Sequence, residues 1–275
     1  MMKKVLAGIF AAFILSISSP AYAANMQIKV EGITIASAVK PEMKNNRTMV
    51  PLRFISENLG AKVNWSGSEV TLAKSDMLVI LKLKSLTAMK NGKPALLDAT
   101  PYIKNDRIMV PLRFIAETFN CSVGFRNSTV SVEPAPFVLD GVKVKALQYE
   151  VNYTMGSIVK EINGSAYIEA IYHIFDNKGS KANPPASYTS SVIELTTGDY
   201  YMSGKFDFLD QKGNRIKQFY LYTLSHSEGN PSVMLYDATE KQWYSFTYPA
   251  FQSIDQFIET AGKNGFLTTI SDTNP

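Results

Sequence analysis

The stretch Arg47-Thr-Met-Val-Pro-Leu-Arg-Phe-Ile-Ser-Glu57 recurs as Arg107-Ile-Met-Val-Pro-Leu-Arg-Phe-Ile-Ala-Glu117, with two substitutions. The offset is 60 residues and needs no gap when it is extended in either direction. Further pairs at this offset are Gly32 and Gly92, Pro41 and Pro101, Val63 and Val123, and Trp65 and Phe125. Repetition at a fixed offset indicates two copies of one supersecondary unit. We therefore predict repeats over 26–73 and 86–133.

Each copy has the pattern of a short helix between strands. Pro51 lies at the first helical position, where a proline is well tolerated. Apolar residues then recur at helical spacing, at Leu52, Ile55 and Leu59 and again at Leu112, Ile115 and Phe119. Gly60 in one copy and Asn120 in the other follow at a left-handed C-cap position. Because a two-turn helix and a hairpin make too small a core, we predict that both copies form one domain over 26–133.

Strands are predicted on both sides of each helix. Alternating apolar residues around turn signals indicate a hairpin after each helix, with turns at Ser66–Ser68 and Arg126–Ser128. The segments Gln27–Ile35 and Ala88–Leu97 are predicted strands before the helices. The domain is therefore predicted to be α+β, with antiparallel strands and two short helices.

The repeated motif Asn-Arg-Thr-Met-Val-Pro-Leu-Arg-Phe-Ile-x-Glu-x-Leu-Gly, followed by Val-x-Trp, resembles the copper amine oxidase N-terminal-like (stalk) domain. This family occurs in exported bacterial proteins, particularly those of Gram-positive organisms. The resemblance implies an α+β stalk of antiparallel strands wrapped on short helices. In the oxidases, copper and the modified-Tyr cofactor lie in a separate and larger catalytic domain. The resemblance therefore implies a fold and a location but no activity.

Composition excludes several classes of protein. The chain has 275 residues and a net charge of +4, without the Lys/Arg clusters of a nucleic-acid binder. Two His and one Cys are too few for a copper site of the oxidase type, a structural zinc site or a disulfide framework. We therefore predict no metal, no cofactor and no nucleic-acid partner. The single Cys121 is expected to be buried and inert.

The N-terminus has the three features of a secretory signal peptide. Lys3 and Lys4 precede an apolar run over Val5–Ser18, and Ala21-Tyr22-Ala23 has the pattern of a cleavage site. The alternative, a membrane anchor, would need a span of about 20 residues. We predict a signal peptide over 1–23, a secreted or cell-surface location, and no transmembrane segment in the mature chain.

A second domain is predicted over 137–275, after the stiff linker Glu133-Pro-Ala-Pro136. It is predicted to be antiparallel and β-rich, and to end with one amphipathic helix that contains Phe251, Ile254, Phe257 and Ile258 and stops at Gly262. The predicted strands are Ala166–Phe175, Tyr200–Asp210, Ile216–Leu224, Ser232–Tyr236 and Gln242–Tyr248.

Several of these strands have apolar residues on both faces. One helix covers one face of a sheet, so the other face must meet the stalk, a partner or a ligand. The alternative is a closed barrel or sandwich whose core the aromatic residues fill. Tyr222, Trp243 and Tyr244 are the candidate binding residues. The strand with Lys241, Trp243 and Tyr244 is also similar to lipoprotein-carrier-like half-barrels, which implies a hydrophobic ligand.

Charged residues give weaker signals. Arg53 with Glu57, and Arg113 with Glu117, are spaced to form ion pairs along a helix. A structural role is favoured over an anion site that would also use Arg47 and Arg107.

Patterns of catalytic residues are weak as well. Glu169 and His173 would share one strand face as a possible acid–base pair. The two S-x-x-K matches, at Ser37 and Ser157, lack the accompanying S-D-N and K-T-G elements. We therefore predict no catalytic residues and no enzymatic activity.

The leading hypothesis is an exported, non-enzymatic envelope protein. Its stalk would present a C-terminal domain that binds cell-wall polymer or a surface protein. The alternatives are a carrier of a hydrophobic small molecule or lipid and, with little support, a cell-wall hydrolase.

Overall fold

The computed structural model describes residues 26–153, 156–189, 199–224 and 230–273. The predicted signal peptide, 1–23, lies outside these residues. The described chain is strand-rich with four helices, which confirms the predicted α+β class. Most of the strand pairs are antiparallel.

The N-terminal half contains two seven-residue helices among short strands, as the repeat predicts. The elements are β1 (Gln27–Val30), β2 (Ile33–Ile35), β3 (Glu42–Lys44), β4 (Arg47–Pro51), α1 (Leu52–Asn58), β5 (Lys62–Ser66), β6 (Glu69–Lys74), β7 (Met77–Lys82), β8 (Thr87–Lys90), β9 (Lys93–Leu96), β10 (Tyr102–Lys104), β11 (Arg107–Pro111), α2 (Leu112–Thr118), β12 (Cys121–Arg126) and β13 (Thr129–Pro134).

The two copies meet at equivalent residues. In the sheet β10-β11-β4-β3, Val50 lies opposite Val110 in an antiparallel pair. These residues are 60 apart, so the pairing relates the copies by an approximate twofold axis. Gly60 (φ 76°) and Asn120 (φ 57°) adopt the left-handed conformation predicted after each helix. The repeat therefore forms one pseudo-symmetric unit.

Each hairpin joins a sheet with the first strands of the other copy. One sheet has the order β12-β13-β1-β2, in which β1 and β13 are parallel. The other has the order β5-β6-β7-β8-β9. Here β7 lies between the two copies and buries Val79 and Leu81. This strand lies between the two predicted copies, 26–73 and 86–133, so the repeat predicts nothing for it.

The C-terminal half is one large sheet with two helices. Its elements are β14 (Val138–Leu139), β15 (Val142–Tyr153), β16 (Gly156–Ile162), α3 (Ser165–Asp176), β17 (Lys181–Ala182), β18 (Tyr188–Thr189), β19 (Tyr200–Asp210), β20 (Arg215–Leu224), β21 (Val233–Asp237), β22 (Gln242–Phe246), α4 (Tyr248–Lys263) and β23 (Leu267–Asp272). The strand order is β17-β22-β21-β20-β19-β15-β16-β23, with β14 on β15 and β18 on β19.

The predicted strand Ala166–Phe175 is wrong, because these residues form α3. The buried residues Tyr167, Ile168, Ile171 and Phe175 recur at helical spacing, and a helix of this kind has apolar residues at both odd and even positions. The sheet thus has two cover helices where one was predicted. The second, α4, is the predicted amphipathic helix, although it continues through Gly262 to Lys263.

Aromatic side chains fill the space between the helices and the inner face of the sheet. Phe175 of α3 stacks on Phe219 with ring centroids 4.6 Å apart, and it also contacts Phe206 at 5.1 Å. Ile254 of α4 belongs to the same core and has no exposed surface. This packing does not support a half-barrel carrier, in which the inner face would line a ligand cavity.

The C-terminal half packs on the first copy of the repeat. Lys74 of β6 pairs with Glu169 of α3 at 2.8 Å. The backbone of Gly60 approaches α3 so closely that a Cβ there would lie 2.6 Å from the carbonyl oxygen of Ala166. One hydrophobic core runs through both halves. The N-terminal half is therefore a fixed base for the C-terminal sheet.

Candidate functional site

The outer face of the C-terminal sheet carries a cross-strand row of side chains. Strand register places Tyr220 opposite Tyr236, and Tyr236 opposite Trp243. The row continues from Tyr220 to Lys205 on β19, and from there to Glu150 on β15. Directly opposite side chains on a sheet face contact each other, so register alone assembles this row.

Five aromatic side chains cluster on this surface, which we call the aromatic face. Its members are Tyr188, Tyr220, Tyr222, Tyr236 and Trp243. The Trp243 ring lies 4.9 Å from that of Tyr222 and 5.1 Å from that of Tyr236. Trp243 and Tyr222 are each only 8% exposed, whereas Tyr220 and Tyr236 are half-buried. The buried rings of Tyr222 and Trp243 therefore pack beside the rings of Tyr220 and Tyr236, which are accessible to solvent.

A segment of chain borders the aromatic face. Ala182 of β17 pairs with Trp243 at the edge of the sheet, and Tyr188 of β18 pairs with Tyr200 of β19. The ring of Tyr188 contacts Tyr222 at 5.6 Å and Trp243 at 5.1 Å. Tyr188 is half exposed. The half-exposed ring of Tyr188 therefore partly covers the buried rings of Tyr222 and Trp243.

A polar network adjoins the aromatic face. The Tyr220 hydroxyl donates to Gln218 Oε1 at 3.0 Å, and Gln218 Nε2 donates to Asp207 Oδ1 at 2.6 Å. Arg215 Nε lies 2.7 Å from Asp207 Oδ1. Lys205 Nζ donates to Glu150 at 3.0 Å. The network therefore supplies donors and acceptors beside a row of rings.

Burial and charge shift the pKa values of two groups on this surface, Tyr222 and Lys205. Burial raises the pKa of the Tyr222 hydroxyl to about 12, so it stays neutral at neutral pH. Burial opposes the charge of Lys205, but the hydrogen bond to Glu150 and the nearby negative charges of Glu150 and Asp207 together outweigh it, so the pKa of Lys205 is raised. The surface thus combines the neutral phenol of Tyr222 with a paired lysine.

The structure brings together two of the three predicted binding residues. Tyr222 and Trp243 contact each other on the aromatic face. Tyr244 points to the other side of β22, where its hydroxyl donates to Glu240 at 2.6 Å and Lys178 Nζ lies 4.4 Å from its ring centroid. Tyr244 is therefore not part of the aromatic face. A binding role for the three residues stays a prediction.

Sequence reasoning missed three members of the aromatic face as site residues. Tyr220 and Tyr222 share a face by strand alternation, a signal that was available in the sequence. Tyr236 joins them only through the register of β20 with β21. Tyr188 comes from a short strand after a proline-containing loop, and no local pattern indicates its position.

The predicted acid–base pair does not form a site. Glu169 and His173 lie on α3, and Glu169 is paired with Lys74. His173 packs near Tyr172 and Phe137, with ring centroids 6.0 and 6.3 Å away. The hydrolase hypothesis gains no support from this arrangement.

The described ranges contain neither a candidate metal site nor a candidate membrane-spanning helix. No group of three or more His, Cys, Asp and Glu residues there could hold a metal ion. None of the described helices is long and apolar enough to cross a membrane. Cys121 is buried, and burial raises the pKa of its thiol to about 11.

The two predicted Arg–Glu ion pairs form along α1 and α2. Arg53 lies 3.7 Å from Glu57, and Arg113 lies 3.8 Å from Glu117. These pairs are largely exposed, so each contributes little to stability. This geometry supports the structural role.

Comparison with known proteins gives one match. Residues 29–133 match the family model described as the copper amine oxidase N-terminal domain, which is a non-catalytic domain. No curated protein and no solved structure matches the chain. The region that holds both copies of the repeat is therefore similar to the copper amine oxidase N-terminal domain, the family that their motif resembles.

Proposed function

We propose that this is an exported envelope protein whose C-terminal domain binds the polysaccharide of the cell wall. The observation that carries the proposal is the row of half-buried tyrosines on the aromatic face. The face of an aromatic ring is partially negative and attracts the polarised C–H groups of a sugar ring. The half-buried Tyr220 hydroxyl and the Lys205 ammonium would hydrogen-bond to sugar hydroxyls, and the buried Gln218 and Asp207 hold the Tyr220 hydroxyl in place.

The rest of the chain supports the same proposal. A signal peptide over 1–23 would deliver the protein to the cell surface or the medium. The non-catalytic N-terminal domain packs against α3, on the side of the sheet opposite the aromatic face. It would leave the aromatic face free to meet an extended polymer. No enzymatic step is needed for this role.

Co-sedimentation with purified Gram-positive cell walls tests the proposal. The full-length chain is expected to sediment with walls. The double variant Tyr220→Ala/Tyr236→Ala should lose most of this binding, because both rings are half-buried and form the accessible row. Phe125→Ala is the matched control, since Phe125 is a 63% exposed ring in the N-terminal half.

Two results would contradict the proposal. One is absence of sedimentation of the unaltered chain. The other is equal sedimentation of the double variant and the Phe125→Ala control. Binding to protein-coated walls that is lost after protease treatment of the walls would indicate a surface protein as the partner instead.

A further inference from the structure

One cleft in the N-terminal domain breaks its pseudo-symmetry. It has a volume of about 330 Å³, within the usual range for ligand sites. Residues of the first copy form most of it, and 106–108 of the second copy complete it. The residues that line the cleft include Ser37, Ala38, Arg53, Trp65, Asp106 and Arg107.

The second copy shows what occupies the equivalent position. The counterparts of Ser37 and Ala38 at the 60-residue offset are Leu97 and Asp98. Leu97 is 2% exposed and belongs to the core. Asp98 forms an ion pair with Arg47, the counterpart of Arg107. In that copy the chain itself supplies an aliphatic side chain and a carboxylate.

The first copy lacks both groups. Serine and alanine replace leucine and aspartate, which leaves the cleft open to Trp65 and Arg107. Arg107 forms no ion pair with any described residue; its Nη1 donates to the backbone carbonyl of Asp106 at 3.2 Å. Arg53, which also lines the cleft, is already paired with Glu57.

We infer that this cleft binds a peptide segment of another polypeptide in which a branched aliphatic side chain precedes a carboxylate. The aliphatic group would take the place that Leu97 takes in the second copy. The carboxylate would pair with Arg107 as Asp98 pairs with Arg47, and a guanidinium suits a carboxylate because it offers paired donors. This inference does not depend on the aromatic face.

A synthetic peptide with the sequence of residues 94–100, Pro-Ala-Leu-Leu-Asp-Ala-Thr, is the direct probe. Trp65 reports on the cleft, because it is 48% exposed and Trp243 is the only other tryptophan. Titration of the Trp243→Phe chain is expected to give a saturable change in fluorescence. The same peptide with Asn for its Asp should bind at least tenfold more weakly.

Variants of the chain separate binding from folding. Arg107→Gln should weaken peptide binding at least tenfold, whereas the control Arg47→Gln, at the equivalent position, should not change it. Ser37→Leu/Ala38→Asp installs the residues of the second copy and should abolish binding. Asp106→Asn, which introduces the residue at its counterpart Asn46, should strengthen binding by removing a negative charge from the cleft.

Equal affinity of the Arg107→Gln and Arg47→Gln variants would overturn the inference. So would an unchanged Trp65 signal at millimolar peptide. The Ser37→Leu/Ala38→Asp variant is not essential to the test. If it does not fold, the Arg107→Gln variant and the peptide with Asn in place of Asp still decide whether the Arg107–carboxylate pair forms.

Discussion

Glu31 caps a helix that belongs to the other half of the molecule. Its carboxylate accepts a hydrogen bond from the backbone N–H of Ser165 at 2.8 Å and another from the Ser165 hydroxyl. The N-cap residue of α3, Gly164, has no side chain for this purpose. The counterpart of Glu31 in the second copy is Asn91, which accepts from Leu78 N at 2.6 Å within its own half. The two copies have therefore diverged where the first one meets α3.

Removal of this cap should destabilise the protein. Glu31→Ala is expected to lower the free energy of unfolding by about 1 kcal/mol, the usual cost of a lost N-cap. Urea denaturation followed by circular dichroism measures this change. Glu69→Ala is the control, because its pair with Lys82 is exposed and the loss should stay within about 0.5 kcal/mol. Equal effects of the two variants would contradict a capping role.

Substituting Gly60 with Asn, and Asn120 with Gly, should have different effects on the stability of the protein. Gly60→Asn is expected to cost about 1–3 kcal/mol, because its Cβ would lie 2.6 Å from the carbonyl oxygen of Ala166. Asn120→Gly, the reverse change at the equivalent position, should stay within about 0.5 kcal/mol. Thermal melting of the two variants checks this. Equal losses would mean that backbone conformation alone, without contact between the halves, explains Gly60.

Local rules predict the N-terminal half well. Gly60 and Asn120 adopt the predicted left-handed conformation after each helix. Pro51 and Pro111 lie one residue before the predicted position, because each is the extended N-cap residue and the helix begins at the following leucine. One strand of the N-terminal half, β7, is not indicated by the repeat. Met77–Lys82 falls between the two predicted copies, 26–73 and 86–133, so the repeat predicts nothing for this segment, which forms β7.

The C-terminal half shows where sequence patterns are ambiguous. A short segment with apolar residues at both odd and even positions fits a strand buried on both faces and a buried helix equally well. For this reason the pattern of Ala166–Phe175 predicts a strand, although the segment forms α3. The contact of Tyr236 with Trp243 depends on strand register, which is set by pairing across a turn rather than by either strand alone. The full set of residues on the aromatic face could therefore be identified only from the structure.

Cys121 should be unreactive in the folded protein. Its thiol is 5% exposed, and burial raises its pKa to about 11, so little thiolate forms at neutral pH. A thiol reagent at pH 7.5 is expected to label the chain only after unfolding, with a rate that follows denaturant concentration. Rapid and complete labelling without denaturant would contradict the buried position.

The pair of Lys178 and Asp237 should stabilise the C-terminal sheet. Lys178 Nζ lies 2.9 Å from Asp237 Oδ2, and Asp237 has no exposed surface. Its other oxygen accepts from the backbone N–H groups of Thr239 and Glu240 at 3.0 Å. Asp237→Asn is expected to cost about 1.5–3 kcal/mol, the usual loss for a hydrogen bond to a charged group, because Lys178 keeps only the more distant Glu240, 3.4 Å away. Urea denaturation measures this loss, and a loss below about 1 kcal/mol would contradict it.

This pair also predicts a pH dependence. Burial opposes the charge of Lys178, but the hydrogen bond to Asp237 and the negative charges of Asp237 and Glu240 together outweigh it, so the pKa of Lys178 is raised. Its contribution to stability is therefore complete below the unfolded pKa of about 10.4 and is lost as the pH rises through the folded value. Unfolding free energies between pH 8 and pH 11 should fall more steeply for the unaltered chain than for Lys178→Met. Lys263→Met, which removes the exposed partner of Glu259, should leave the slope unchanged; parallel profiles for all three chains would contradict the prediction.

The central claim is that wall polysaccharide binds on the aromatic face, and the fluorescence of Trp243 tests it most directly. The Trp65→Phe chain leaves Trp243, which contacts Tyr222 and Tyr236, as the only tryptophan. Titration with soluble wall-glycan fragments is expected to shift its emission to a saturating value. Tyr236→Ala should raise the dissociation constant about tenfold, equivalent to about 1.4 kcal/mol. An emission spectrum that does not change while the fragments bind the chain would place the binding site elsewhere and contradict the account.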